Sequence, residues 1–268
     1  VMNIQYRYFS LDKFLDDAVG NEVSNIELWG AMPFFNIEDM TYQEVKEVRH
    51  QIESRGLKLV CLTPEQCVYP VNLAAPSEAA RRRSLKFFED NIRAASELGT
   101  DKMLVTTGYG FFDESNHEEA WKWARDGIYD LAELAKIHGI TLALEVLRRD
   151  ERNLVYNLPT LTKMLDELKH DSVGGMIDTI PMALAGERPA DYLQALVEQL
   201  VHVHFIDGAP RGHLAWGDGI LDMEGYLEEF SRYHYKGYLS LEITDGRYYM
   251  DPTQSVQQSV NALYKVLK

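Results

Sequence analysis

A chain of 268 residues with 46% hydrophobic residues has the apolar material for a sizeable core and the length of one α/β barrel. Its formal net charge of −15 argues against nucleic acid, because a duplex-binding protein gathers Lys and Arg into a phosphate footprint; the one basic run, Arg81-Arg82-Arg83, lies between Glu78 and Glu89 on an amphipathic segment and reads as a solvated helix face. No apolar stretch approaches the roughly 18 residues that would span a bilayer, and Val1-Met2-Asn3-Ile4-Gln5 has neither a basic nor a long apolar leader, so the expected setting is the cytoplasm, with Cys61 and Cys67 reduced.

Residues 4–7 are predicted as the first strand and 25–29 as the second, with a helix over 42–55 leading to a third strand at 57–62. Ser77 opens a helix with Ala, Arg, Leu and Phe at helical spacing that ends near Gly99, before a fourth strand at 102–106. The helix expected over 116–139 carries Trp121, Ile128, Leu131, Leu134 and Ala135 on one face, and Gly139 stands where a left-handed cap is wanted. Strands five to eight are expected at 141–146, 173–178, 201–206 and 238–243, with a helix over 223–233 and a last one opened by Pro252. Several strands are nearly continuous apolar runs, as strands covered on both faces should be. Eight strands each followed by a helix predict a single (β/α)8 TIM barrel spanning residues 1–268 as one domain. No linker divides the chain, and the glycine fingerprint of a dinucleotide site is absent after the first strand.

In such barrels chemistry sits at the C-terminal ends of the strands. The later strands end in Leu144-Glu145-Val146, Met176-Ile177-Asp178, His202-Val203-His204 and Leu241-Glu242-Ile243. One acid at a strand end is commonly a helix cap, but four such residues at one level on consecutive strands are different. Unpartnered inward carboxylates are costly and repel one another, and a divalent cation relieves both penalties. Three carboxylates and one imidazole suit Mn²⁺, Mg²⁺ or Co²⁺; Zn²⁺ and Ni²⁺ fit the donor set less well. His202 is expected to turn away from His204 and to serve as a packed or supporting histidine. Glu145 and Glu242 lie on strands five and eight and are expected to approach a central substrate from different sides. Two bases on opposite faces of one carbon can remove a proton and return it inverted, with the cation stabilising the enediolate. That is epimerisation beside a ketone.

The chain resembles the sugar isomerase/epimerase superfamily of xylose-isomerase-like barrels, and within it the fructoselysine 3-epimerases and ketose 3-epimerases. The resemblance rests on Ile26-Glu27-Leu28-Trp29-Gly30, Thr63-Pro64-Glu65 with Tyr69-Pro70 and Asn72, Leu144-Glu145 with Glu151, His202-x-His204 with Asp207, Gly217-Asp218-Gly219, and Leu241-Glu242. It implies that Glu145, Asp178, His204 and Glu242 bind the metal, and that Glu145 and Glu242 are also the acid/base pair. It further implies that Glu151 binds a substrate hydroxyl or positions Glu145, that Arg211 and His213 face the substrate, and that Glu65, Tyr69 and Trp29 line the pocket. Pro181 stands where many relatives place a substrate-touching histidine, which bears on substrate selection and not on the proton chemistry. Relatives are commonly dimers or tetramers, so a homo-oligomer acting on a small sugar or sugar-amine is the expectation.

Three rivals define the tests. An aldose–ketose isomerase would use a similar metal site. A phosphodiesterase resembling the apurinic-site endonucleases needs further histidine ligands and a basic surface, neither of which the sequence offers. A non-catalytic sugar-binding barrel has no need of all four ligand-type residues.

Overall fold

The structure is a computed structural model that describes residues 1–209 and 211–267. Seven parallel strands pair in chain order: β1 (Asn25–Gly30), β2 (Lys58–Pro64), β3 (Lys102–Val105), β4 (Thr141–Glu145), β5 (Val173–Asp178), β6 (Leu200–His204) and β7 (Leu239–Ser240). Helix α1 (Leu11–Gly20) precedes β1, and α2 (Tyr42–Glu53), α3 (Glu78–Leu98), α4 (His117–His138) and α5 (Leu158–Leu168) fill the next connections. The short α6 (Thr179–Leu184) and α7 (Pro189–Leu196) follow β5, α8 (Met223–Arg232) follows β6, and α9 (Pro252–Leu267) follows β7. This is a single, nearly closed α/β barrel.

Local chemistry sets the helix ends. Thr41 and Glu44 form a reciprocal capping box on α2, which buries Val45, Val48 and Ile52 at helical spacing. Gly99 and Gly139 close α3 and α4 at φ of +81° and +69°, a left-handed geometry that costs glycine nothing. Among the described residues no helix is long and apolar enough to cross a membrane.

The first predicted strand is corrected. Residues 4–7 are not extended: Ile4–Tyr6 is a 3-10 turn, and the strand's place is taken by Val1 and Met2. Glu27 N donates to Val1 O at 2.9 Å and Met2 N donates to Leu241 O at 3.1 Å, so this short segment bridges β1 and the chain beyond β7. Asn3 then leaves the extended region, at φ −89° and ψ 3°. Its Oδ1 accepts from Trp29 N at 2.6 Å, replacing with a side chain the ladder bond that a longer strand would have made.

The main core lies between sheet and helices and includes Phe14, Ile26, Leu28, Phe88, Ile92, Ile128, Leu142 and Leu161, all essentially inaccessible. Within the barrel, a small layer of Cys61, Leu104, Ala143 and Met176 packs beneath the strand ends. Cys61 is buried and Cys67 exposed, both as free thiols.

Candidate active site

Glu145, Asp178 and His204 are the last residues of β4, β5 and β6, and Glu242 lies two residues past β7. In-register pairing sets Asp178 opposite His204, and the four side chains bring one ligand atom each to within 4.8 Å of one another. His204 Nδ1 is 3.0 Å from Glu145 Oε1 and 3.1 Å from Glu242 Oε2, yet it makes a properly directed hydrogen bond to neither. Asp178 spends Oδ1 on Ile180 N at the start of α6 (2.8 Å), while its buried Oδ2 has no hydrogen-bond partner among the described residues. Convergent lone pairs, two of them on buried orphan atoms, are what a divalent cation satisfies, and the residues fit one.

The electrostatics agree. Burial, then repulsion from neighbouring carboxylates, raises Glu145 and Asp178 above the usual carboxylate range despite the histidines beside them. Burial also pushes Glu242 up, but His204 and His213 outweigh it and hold its carboxyl low.

Below this cluster lies a second, wholly buried one of Glu27, His202 and His204. Glu27 sits on β1, and its Oε1 accepts from His204 Nε2 at 3.0 Å while Oε2 lies 2.8 Å from His202 Nε2. The Thr63 hydroxyl donates to the same Oε1. One imidazole nitrogen of His204 is thus tied to a carboxylate, leaving Nδ1 to face the upper cluster, the arrangement that fixes tautomer and ring orientation in metal-binding histidines. The expectation that His202 turns away from His204 is corrected: residues two apart on a strand share a face, and both rings point into the barrel. The expected supporting role for His202 matches its contact with Glu27.

A cavity of about 290 Å³ opens above the cluster, and its lining includes Glu145, Glu242, Trp29, Glu65, Glu151 and His213. Glu65 is held by Trp29 Nε1 (3.0 Å) and the amides of Cys67 (2.5 Å) and Val68 (2.9 Å). Glu151 pairs with Arg148 at 2.6 Å. His213 reaches deeper than a rim residue would, with Nδ1 2.9 Å from Glu242 Oε2 and Nε2 3.3 Å from Asp178 Oδ2. Those two carboxylates outweigh the effect of burial and hold its imidazole up at about 9.

Two expected pocket residues lie elsewhere. Tyr69 stands behind the wall, its ring on Phe87 and its hydroxyl accepting from Met32 N at 3.0 Å. Arg211 is exposed on the mouth's outer side, 2.7 Å from Asp150, where it borders a separate cleft with Pro181. Asp150 also meets Arg148, so a chain of charges ties the loop after β6 to the loop after β4.

Sequence reasoning gave no role to Glu27, Arg7 or Asp207, although Glu27 and Asp207 lie in stretches that carry the resemblance. Glu27 left a signal, an acid within the apolar run of β1. Asp207 shapes the loop that carries Arg211 and His213: it is buried and accepts from the amides of Gly208, Gly217, Gly219 and Leu221 at 2.8–3.0 Å.

Barrel topology and a four-donor cluster at the strand ends define the class: the chain belongs to the xylose isomerase-like TIM barrel family, which it matches over residues 16–266. It is similar to fructoselysine 3-epimerase of Shigella flexneri, 24% identical over 254 residues that cover 94% of this chain and 91% of that one. In fold it is similar to 3-keto-D-glucoside 4-epimerase from E. coli (TM-score 0.83, 21% identity, 99% and 98% of the two chains). It is equally similar in fold to D-psicose 3-epimerase from Clostridium cellulolyticum H10, solved with D-tagatose (TM-score 0.83, 14% identity, 99% and 96%).

Proposed function

We propose that this chain is a cation-dependent sugar epimerase that inverts C3 of a ketose or ketosamine, using Glu145 and Glu242 as the two bases. The observation that carries the proposal is the cluster itself, in which two glutamates from strands three apart in the ring share one donor set with Asp178 and His204. The three proteins named above to which the chain is similar are sugar epimerases, and they support the same reading.

Glu145, Asp178, His204 and Glu242 would hold the cation, with Mn²⁺, Mg²⁺ or Co²⁺ best suited to the donors. When bound it supplies polarisation of the substrate carbonyl. Glu145 and Glu242 take the proton from one face of the carbon and return one to the other, each serving in turn as base and acid. Asp178 acts only in binding. His213, with one ring nitrogen against Glu242 and the other against Asp178, orients both carboxylates. Trp29 and Leu147 cover the site from water.

The test is a panel of ketohexoses and fructosamines in heavy water, followed by NMR. Deuterium entry at C3 with inversion is the expected result. Exchange confined to C1 would reassign the chain as an aldose–ketose isomerase, and no exchange anywhere would remove the epimerase proposal.

A further inference from the structure

Arg7 follows the 3-10 turn and forms part of the cavity wall above Glu145 and Glu242. Its guanidinium carbon stands 4.7 Å from the ring centroid of Tyr249 and 5.4 Å from that of Trp29, so the planar group lies against aromatic surface. Among the described residues, Arg7 and Arg232 are the arginines that make neither a hydrogen bond nor an ion pair; Arg232 is simply exposed at the end of α8. Arg7 is half-buried, and among the described residues its buried Nε has no partner and no carboxylate oxygen lies within 4.0 Å.

In a chain of net charge −15 the isolation of this cation is informative. The carboxylates that share its cavity are committed elsewhere: Glu65 to Trp29 and two amides, Glu151 to Arg148, and Glu145 and Glu242 to the cluster around His204. Arg148, the other arginine of the wall, is taken by Asp150 and Glu151. A guanidinium with aromatic groups beside its faces keeps its N–H edge for a planar, bidentate partner, and leaving those donors unmet in a partly dry cavity is costly. A neutral sugar gives no reason for such a group. An anionic one does, because a floor of carboxylates would otherwise repel it.

We propose that Arg7 is an anion clamp, and that the sugar taken by this site carries a carboxylate or phosphate away from the reacting carbon, held on Arg7 beside Trp29 and Tyr249. The inference rests on the epimerase proposal for the chemistry but makes a separate claim about the substrate. It is tested by C3 exchange in heavy water with three ketoses, one neutral, one bearing a terminal phosphate and one bearing a carboxylate, on the wild-type chain, Arg7→Lys and Arg7→Gln. The expected result is a preference of at least ~10-fold in kcat/KM for one anionic ketose, with the phosphate and carboxylate arms identifying which. Arg7→Gln lowers that preference about 10- to 100-fold, chiefly through KM, and Arg7→Lys restores part of it. Thermal unfolding of both variants within a few degrees of wild type shows that the fold is kept. Equal handling of all three ketoses by the wild type, or an equal loss on all three in Arg7→Gln, overturns the clamp. If no ketose exchanges at C3, the epimerase proposal fails instead, and calorimetric binding of the anionic ketoses still decides Arg7: equal affinity in wild type and Arg7→Gln overturns it.

Discussion

Replacing Glu27 tests whether the lower cluster serves the upper one. In Glu27→Gln the volume is kept, but one of the two acceptor oxygens becomes an NH₂ group. His202 tolerates that change, because its Nδ1 has no partner among the described residues and can take the proton while Nε2 turns acceptor. His204 has no such freedom: a proton moved to Nδ1 would remove the lone pair that faces Glu145 and Glu242. The amide oxygen therefore stays on His204 and Thr63, and the loss is the charge on one hydrogen bond, about 1–1.5 kcal/mol, or about tenfold in cation affinity. Glu27→Ala removes the bond outright and leaves two imidazoles and a hydroxyl unpaired, so about 100-fold is expected, with a lower melting temperature. Titration of the metal-free protein with Mn²⁺ against a competing chelator reads both values, and circular dichroism checks the fold. Wild-type affinity in both folded variants would refute the idea that Glu27 orients His204.

Glu145→Gln and Glu242→Gln each stay folded and lose proton exchange at C3 by at least ~10³-fold; substantial deuterium wash-in by either sinks the two-base proposal. Asp207→Ala strips the acceptor from four backbone amides and is expected to cost about 2–4 kcal/mol in urea unfolding, with wild-type stability as the contrary result. Gly219→Ala acts in the same direction, since a Cβ there would lie 2.2 Å from Asp207 Oδ1 and 2.5 Å from Gly208 O. Asp17 ties α1 to Tyr6 and Thr253, and although burial pushes its carboxyl up, hydrogen bonds from Lys13, Thr253 and Tyr6 prevail and lower it below 3.8. A depressed carboxyl stabilises the fold above its unfolded value, and that stability is lost as pH falls through the folded value. Asp17→Asn should therefore flatten the acid limb of melting temperature against pH below about 4, and parallel wild-type and variant curves would contradict this.

Much of the architecture was legible because it rests on local chemistry. Gly99 and Gly139 cap where the sequence places them, and the inward acids announce themselves against apolar strands. Residues 4–7 misled because Ile4-Gln5-Tyr6-Arg7 alternates apolar and polar residues as a strand does, and what decides for a turn is Asn3 bonding to Trp29, 26 residues away. Glu27 was visible as an acid in β1, but its meaning depends on His202 and His204, 175 and 177 residues further on and brought close only by barrel closure. Arg7 could have been found by the strand-end rule that found Glu145, since it ends the predicted first strand. Its significance lies in lacking a partner, which no sequence displays.

The carboxylate of Asp207 gathers amides from Gly208 to Leu221, so both ends of this loop are pinned to one buried acid. Exchanging Arg211 removes its ion pair with Asp150 but leaves the Asp207 anchor in place. The loop is a fixed mount with a replaceable outer edge: its link to the loop after β4 can change while His213 is still delivered to Glu242 and Asp178.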